Sequence, residues 1–510
     1  MTKKGEATTG PTRRVENIDG LDVRNPGRWG ISRAAVAGLG RKLREFMERY
    51  RPRMRTKTHD TSENGYNYVR GQLTMEDQRN YANIERRLKV GNQDGQQTQQ
   101  FMSDSPWDGD GAFEQIQQDI GAREELQEGG IAILDESADE KAGEGSIGAG
   151  RQYNGRLGKV ELSQVSVTLT YAHRGANTWA MVDGELYLPP EWFDEEHAPL
   201  RKKLGLPGTR AYADHAELGL RMIDRAIVRK LPFRLVACDA AYGRSREFRQ
   251  ALDERRLLYA AAVPKDTRVY LQPPYIGIPP RAGPRGRLPS VPKVLSRHAP
   301  IEVQTLAASP KTVWQRHIVR NTERGKLIIE AAVFPVWTLT ANMQVRCEWL
   351  LIRRDLSGRE VGKLTYILLN HPGDTPVEML VQDCCQRYFI ERTYQDAKSE
   401  LGWADFQAQK YRAWHHHLAL TALALWFIAE TKLDWQAHHP QDPKLMRQLK
   451  VKALPQLSVA NVRDLLRAAL PLPNISQDDA ERIVVSHLIN RARSTRSYAD
   501  AQRAFHGPDG

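Results

Sequence analysis

The sequence predicts an α/β chain in which a mixed sheet with flanking helices is interrupted by a β-rich insertion and bracketed by helical regions at both ends. Three observations carry this. Between residues 130 and 264, strand-like runs alternate with helix-periodic segments in the order strand, strand, strand, helix, strand, helix, strand. Residues 265–360 break that rhythm with a tract dense in Pro and Gly, followed by three more strand-like runs. The stretch "HHHLALTALALWFIAE" is a helix apolar enough to belong in a core.

At 510 residues the chain exceeds what one core usually organises. Residues 1–60 read as a basic, largely disordered arm. Its first half is rich in Gly, Pro, Thr and Arg, and "RKLREFMERYRPRMRTK", residues 41–57, holds eight basic and two acidic residues, half of the net charge of +12. A solvated helix end could carry such charge, but a pI near 9.4 favours an arm that tracks the phosphates of a polyanion. Residues 61–125 read as short amphipathic helices between Gly and Asp turns, a small helical DNA-binding domain without a clear helix-turn-helix signature.

The core begins at residue 126. "GGIAILDES" is a short buried strand expected to end on Asp135, and "KVELSQVSVTLTYAH" and "NTWAMVDGELYLP" form a hairpin turning at Arg174 and Gly175. A helix over "DHAELGLRMIDRAIVRK" leads to the strand "PFRLVACDAAYG", expected to end on Asp239. The helix "SREFRQALDERR" and the strand "LLYAAAVP" close this first part at 264. Residues 265–372 are the insertion, opened by an extended loop carrying Arg281, Arg285 and Arg287. Residues 373–430 return to the core as helices, and 431–510 form a C-terminal helical region with caps at Ser458 and Ser476.

Three carboxylates in "FIERTYQDAKSELGW" are sorted by helix geometry. With about 100° per residue, Glu391 and Lys398 share a face, joined by Arg387 one turn earlier, while Asp396 and Glu400 turn to the opposite side, toward solvent. Taken alone, that stripe reads as ordinary helix-surface pairs. Its context is two lone strand-end aspartates, and three carboxylates from two strands and a helix could hold two magnesium ions by oxygen ligands. Arg387 suits a forked phosphate contact and Lys398 a point-charge contact.

The order and placement of Asp135, Asp239 and Glu391 resemble the Asp-Asp-Glu transposases of bacterial insertion sequences, whose catalytic fold is ribonuclease H-like. "RYFIERTYQDAK" is similar to the signature Tyr-x2-Arg-x3-Glu-x6-Lys of one large group, with Arg387, Glu391 and Lys398 in place and Cys384 where the Tyr stands. "ILDES", "GRQYNGRLGKVELSQVSV", "GELYLPPEWF" and "VACDAAYGRSREF" extend the likeness over residues 60–430. The resemblance implies two Mg2+ (or Mn2+) ions held by Asp135, Asp239 and Glu391. It also implies cleavage at transposon ends in double-stranded DNA, attack of the freed 3′-hydroxyls on target DNA, and a homodimer that holds two ends together. A β-rich insertion in the 152 residues between Asp239 and Glu391 is part of that pattern.

Other residues are weaker candidates. Trp314 and Trp337 could stack on an unpaired base, though a Trp in a β-rich segment is more often core. Arg151 and Lys159 read as DNA-backbone contacts near Asp135, since "GAGRQYNGRLGK" lacks the order of a nucleotide-triphosphate loop. His415, His416 and His417 are consecutive on a helix and cannot converge on one ion, and Asp183, before Gly184, reads as a turn. Cys238, Cys347, Cys384 and Cys385 lack paired spacing and read as reduced core thiols. With no apolar run of about 18 residues and no apolar segment after the basic N-terminus, the expectation is a soluble cytoplasmic protein associated with the nucleoid. A nuclease without strand transfer and a silent DNA-binding relative share these features. The basic arm disfavours a glycosidase.

Overall fold

In the computed structural model, residues 22–88, 95–322 (except 156 and 282–287), 325–356, 361–406, 409–438, 442–474 and scattered positions from 476 to 496 are described. Ser32 caps helix α1 (Arg33–Tyr50), which is followed by α2 (Ser62–Thr74), α3 (Tyr81–Leu88), α4 (Gln96–Ser103) and α5 (Gly109–Gly121). The arm expected over residues 1–60 is therefore corrected from residue 33 onward; residues 1–21 lie outside the described residues. Leu39, Leu43, Phe46, Met47 and Tyr50 recur at helical spacing and are buried, each contributing about 1.5–3 kcal/mol on leaving water. That outweighs the repulsion of the bases between them, which acids also offset: Lys42 pairs with Asp434 at 2.6 Å, Arg44 with Glu63 at 2.5 Å, Arg49 with Glu430 at 2.5 Å and Arg51 with Asp60 at 2.8 Å.

Strands β1 (Gly130–Glu140), β2 (Gly150–Asn154), β3 (Lys159–His173) and β4 (Thr178–Leu186) come next. They are followed by α6 (Ala198–Leu204), α7 (His215–Val228), β5 (Leu235–Cys238), α8 (Ala240–Gly243), α9 (Arg246–Glu254) and β6 (Leu258–Val263). The β3–β4 hairpin turns where expected, with Asn177 N–H donating to the Arg174 carbonyl at 3.0 Å. Asp183, however, is not in a turn. It lies within β4 beside a bulge, 2% exposed, and its carboxylate accepts from Arg225 at 2.7 and 3.0 Å.

Two small strand pairs follow, β7 (Arg268–Val269) with β10 (Ile301–Glu302) and β8 (Ile276–Gly277) with β9 (Lys293–Val294), and then the short helix α10 (Val303–Ala308). Arg285 and Arg287 lie outside the described residues. Long strands β11 (Gln315–Thr322), β12 (Gly325–Leu339) and β13 (Val345–Asp355) run antiparallel into β14 (Leu364–Leu369), and β14 pairs with β6. The insertion thus continues the core sheet, in the order β11-β12-β13-β14-β6-β5-β1-β3, with β2 and β4 both on the far side of β3. Among the described strands, the parallel neighbours are β1 with β5 and β5 with β6. This is a mixed sheet of the ribonuclease H-like kind.

Helices α11 (Val377–Cys384) and α12 (Tyr388–Gln395) cross this sheet, and a π-helical turn at Asp396–Glu400 extends α12. The apolar α13 (Tyr411–His438) then runs through the core, followed by α14 (Pro443–Leu449) and α15 (Val459–Ala469). Ser458 caps α15 as expected, with its hydroxyl and Asn461 forming a capping box. One apolar cluster joins α1, α2, α5, one face of the sheet, α13 and α15.

His416 and His417 stitch that cluster through polar contacts: the neutral His416 ring lies between the Met102 and Trp107 carbonyls and donates its one N–H to one of them, and His417 bonds the Tyr68 hydroxyl and the Trp403 carbonyl. Burial pushes them down to about 3 and about 4, so both are neutral at pH 7. Of the thiols, Cys347 is exposed, against expectation, because it sits at the open end of β13; the other three are buried.

Close approach also fixes Gly243, at the end of α8. A Cβ there would collide with the Ala262 carbonyl of β6. Gly243→Ala is expected to destabilise the protein by about 1–3 kcal/mol, seen as a lower thermal midpoint; an unchanged midpoint would mean that α8 does not press on β6.

Candidate active site

The site begins with strand register. Leu134 of β1 pairs with Cys238 of β5, so the residues that follow, Asp135 and Asp239, emerge side by side where the two parallel strands part. Such a parting of strands is where open α/β sheets place their ligands. β5 stops there, and Asp239 caps α8 by accepting from Ala241 N–H at 2.9 Å. β1 does not stop: it runs five residues further, paired with β3. Asp135 is therefore mid-strand, a correction to the expected strand end, and Asp139 lies on the same sheet face four residues on.

Helix α12 lies across β1 and supplies the third acid. The Arg387 guanidinium donates to Asp135 Oδ2 at 2.7 Å and to Glu391 Oε1 at 3.2 Å, bridging strand acid and helix acid. The Glu391 side chain is 64% exposed, with Arg387 as its ion-pair partner. Lys398 reaches β1 as well, donating to Asp139 Oδ1 at 2.8 Å. Arg387 and Lys398 both reach β1, and Glu391 follows Arg387 one turn on; Lys398 lies in the π turn, where 100° per residue no longer applies.

Asp396 and Glu400 do not turn to solvent. Asp396 is 3% exposed, accepts from Trp179 Nε1 at 2.9 Å and pairs with Arg392 at 3.7 Å; Glu400 pairs with Arg463 of α15 at 2.6 Å. The correction has a simple reason: α12 and its π turn are covered on both sides, by β1 on one and by β4, α13 and α15 on the other.

Burial, with Asp239 and Glu391 nearby, raises the Asp135 carboxyl to about 6 despite the Arg387 pairing. Glu136, on the other face of β1, is raised to about 7 by burial and by the charges of Asp239 and Asp135. Like charges crowded this way are what a dication relieves, and carboxylate oxygens are the ligands that hard cations prefer. Among the described residues no three acidic, imidazole or thiol groups already converge as an ion cage. The donor set fits magnesium or manganese, with the guanidinium of Arg387 standing where the acids need positive charge.

Asp239, Arg387 and Glu391 line one cleft of about 1040 Å3, together with Lys265, Arg320, Arg353, Lys363, Cys384 and Cys385. Sequence reasoning missed Lys265, Arg320, Arg353 and Asp139. A signal for Asp139 existed in the alternation Asp135, Ser137, Asp139; Arg320 and Arg353 come from strands, and Lys265 from the turn after β6, whose place beside the acids depends on distant pairing.

The remaining candidates lie apart. Arg151 is exposed on β2, and Lys159 pairs with Glu161 at 2.9 Å. Arg151 aligns with Leu162 of β3 whereas Asp135 aligns with Thr168, a separation of about 20 Å along the strand. They are not near Asp135. Trp314 is half-buried against the apolar cluster of β12 and β13, with the Arg354 guanidinium 4.5 Å above its ring.

Residues 52–326 match the family model described as DDE superfamily endonuclease. The chain is also similar to a probable transposase for insertion sequence element IS701 from Microchaete diplosiphon, 25% identical over 340 residues that cover 63% of this chain and 71% of that protein.

Removing the guanidinium should expose the strain among the acids. Asp135 carries a raised value, so its ionisation costs the fold stability as pH rises from the ordinary carboxylate range to about 6. Arg387→Gln is expected to cost about 1–3 kcal/mol at pH 8. The deficit should shrink as pH falls through about 6, where a protonated Asp135 needs no counter-charge. Thermal midpoints over a pH series check this, and a deficit independent of pH would show that Arg387 does not neutralise Asp135.

Proposed function

Because this chain belongs to the DDE superfamily of endonucleases, we propose that it is an insertion-sequence transposase that cuts DNA at the ends of its element and joins the freed 3′-hydroxyls to target DNA. The observation that carries the reading is the cleft in which acids and bases meet: Asp239 and Glu391 share its wall with Lys265, Arg320, Arg353, Lys363 and Arg387. Positive charge of that density suits a phosphodiester backbone, and the acids give its floor a place for hard cations.

Asp135, Asp239 and Glu391 are the residues to hold two magnesium or manganese ions. When bound, such ions supply charge stabilisation to the attacking and leaving oxygens of a displacement at phosphorus. The chain's own groups position the DNA. Arg387, whose guanidinium sits between Asp135 and Glu391, offers a planar fork to a phosphate oxygen pair. Lys398, held by Asp139 about 13 Å along β1 from Asp135, offers a point charge to a phosphate further along the backbone. Arg151 and Lys159, at the far end of the sheet, suit backbone contacts away from the scissile bond. Trp314 suits base stacking only once Arg354 leaves its ring.

Joining two ends calls for a synaptic homodimer on double-stranded DNA, working at the nucleoid in the cytoplasm. Among the described residues no helix is long and apolar enough to cross a membrane.

Incubation with DNA from the flanks of its own gene, with and without magnesium, tests the proposal by mapping nicks. Asp135→Ala, Asp239→Ala and Glu391→Ala are each expected to abolish magnesium-dependent cleavage while DNA binding persists, whereas Glu400→Ala should cut. If Glu400→Ala were inactive and Glu391→Ala active, the assignment of the helix acid would fail. Pre-cut ends that are bound but never joined to target DNA would identify a nuclease without strand transfer, and uncut flanks a silent relative.

A further inference from the structure

Cys384 and Cys385 close α11 and line the same cleft as Asp239, Arg387 and Glu391. Their sulfurs lie 3.7 Å apart. The preceding residue, Asp383, is 1% exposed and bound by Arg234 at 2.8 Å and His371 at 2.9 Å, so the end of α11 is fixed.

The two thiols differ. Cys384 Sγ lies 3.1 Å from the Val381 carbonyl and 3.7 Å from Cys385 Sγ, its one S–H serving either acceptor, and burial pushes it well up. Cys385 Sγ accepts from Arg353 Nη1 at 3.2 Å, with Arg320 and Arg387 in the same cleft wall. The neighbouring Cys384 thiol, with Arg353, holds Cys385 down to about 7 against its burial. Electropositive surroundings favour the thiolate, and Cys385, though 4% exposed, meets the cleft as part of its lining.

We propose that Cys385 is a thiol-exchange site that takes anionic low-molecular-weight disulfides through the cleft and carries the mixed disulfide beside the carboxylates. The inference needs only the folded cleft and stands apart from the transposase reading. The Cys385 thiolate attacks one sulfur of R–S–S–R; that S–S bond breaks, its electron pair leaves with RS−, and Cys385–S–S–R remains. The disulfide is itself the oxidant. Closure onto Cys384 is disfavoured, because neighbouring Cα atoms lie about 3.8 Å apart and unstrained disulfides span about 4.4–6.8 Å.

The three arginines select for anions. The full-length reduced protein is treated at pH 7 with oxidised glutathione, an anionic disulfide, or with cystamine, a cationic one, then alkylated and mapped by peptide mass. At Cys385 the anionic probe is expected to react about tenfold faster than the cationic one, with no such preference at exposed Cys347. Arg353→Gln is expected to slow Cys385 about three- to tenfold, since the lost thiolate fraction is partly offset by higher nucleophilicity. If that variant fails to fold, the two-probe comparison on the unaltered chain decides alone. Labelling of Cys347 with Cys385 untouched, or equal rates for the two probes at Cys385, overturns the proposal.

Discussion

The contact on which the site depends is the Arg387 guanidinium held between Asp135 and Glu391. Strand pairing forces Asp135 and Asp239 together, and α12 adds a third acid above them. Without positive charge this arrangement is costly, since each carboxylate raises the free energy of ionising the next. Arg387 supplies that charge from within the chain.

The second constraint is the continuity of the sheet. β14 pairs with β6, so β11, β12 and β13 are built outward from the strand next to β5. Arg320 on β11 and Arg353 on β13 are thereby carried into the cleft that Arg387 lines. An insertion hinged on flexible linkers would not fix those charges. A rigid sheet does, because register sets the position of every second residue along each strand.

Much of this was legible in the sequence. The order of strands and helices from 130 to 264, the β3–β4 hairpin, the Ser458 cap and the shared face of Arg387 and Glu391 all follow from local periodicity and capping chemistry. What was not legible depends on tertiary packing. Asp396 looked solvent-facing because helix geometry sorts faces but does not say how many are covered, and here both are. Asp183 precedes a glycine, as a turn residue would, yet Arg225 from α7 pays its burial as a partner inside β4. The end of β1 was set too early because Ser137, Asp139 and Glu140 have poor strand propensity, which pairing with β3 overrides.

The same distinction relocates the chain's positive charge. Counting residues put half of the net +12 into 41–57, and on that basis the N-terminal segment was the surface for a polyanion. Folding that segment into α1 pairs its bases with Asp434, Glu63, Glu430 and Asp60, and a base already paired releases few counterions when DNA arrives. The cleft behaves differently. Its wall brings Lys265, Arg320, Arg353, Lys363 and Arg387 against three acids, Asp239, Asp355 and Glu391, two of which are the residues that cations would neutralise. There five bases stand against three acids on one concave surface, whereas α1, with its bases held in ion pairs, packs the helical regions against the core.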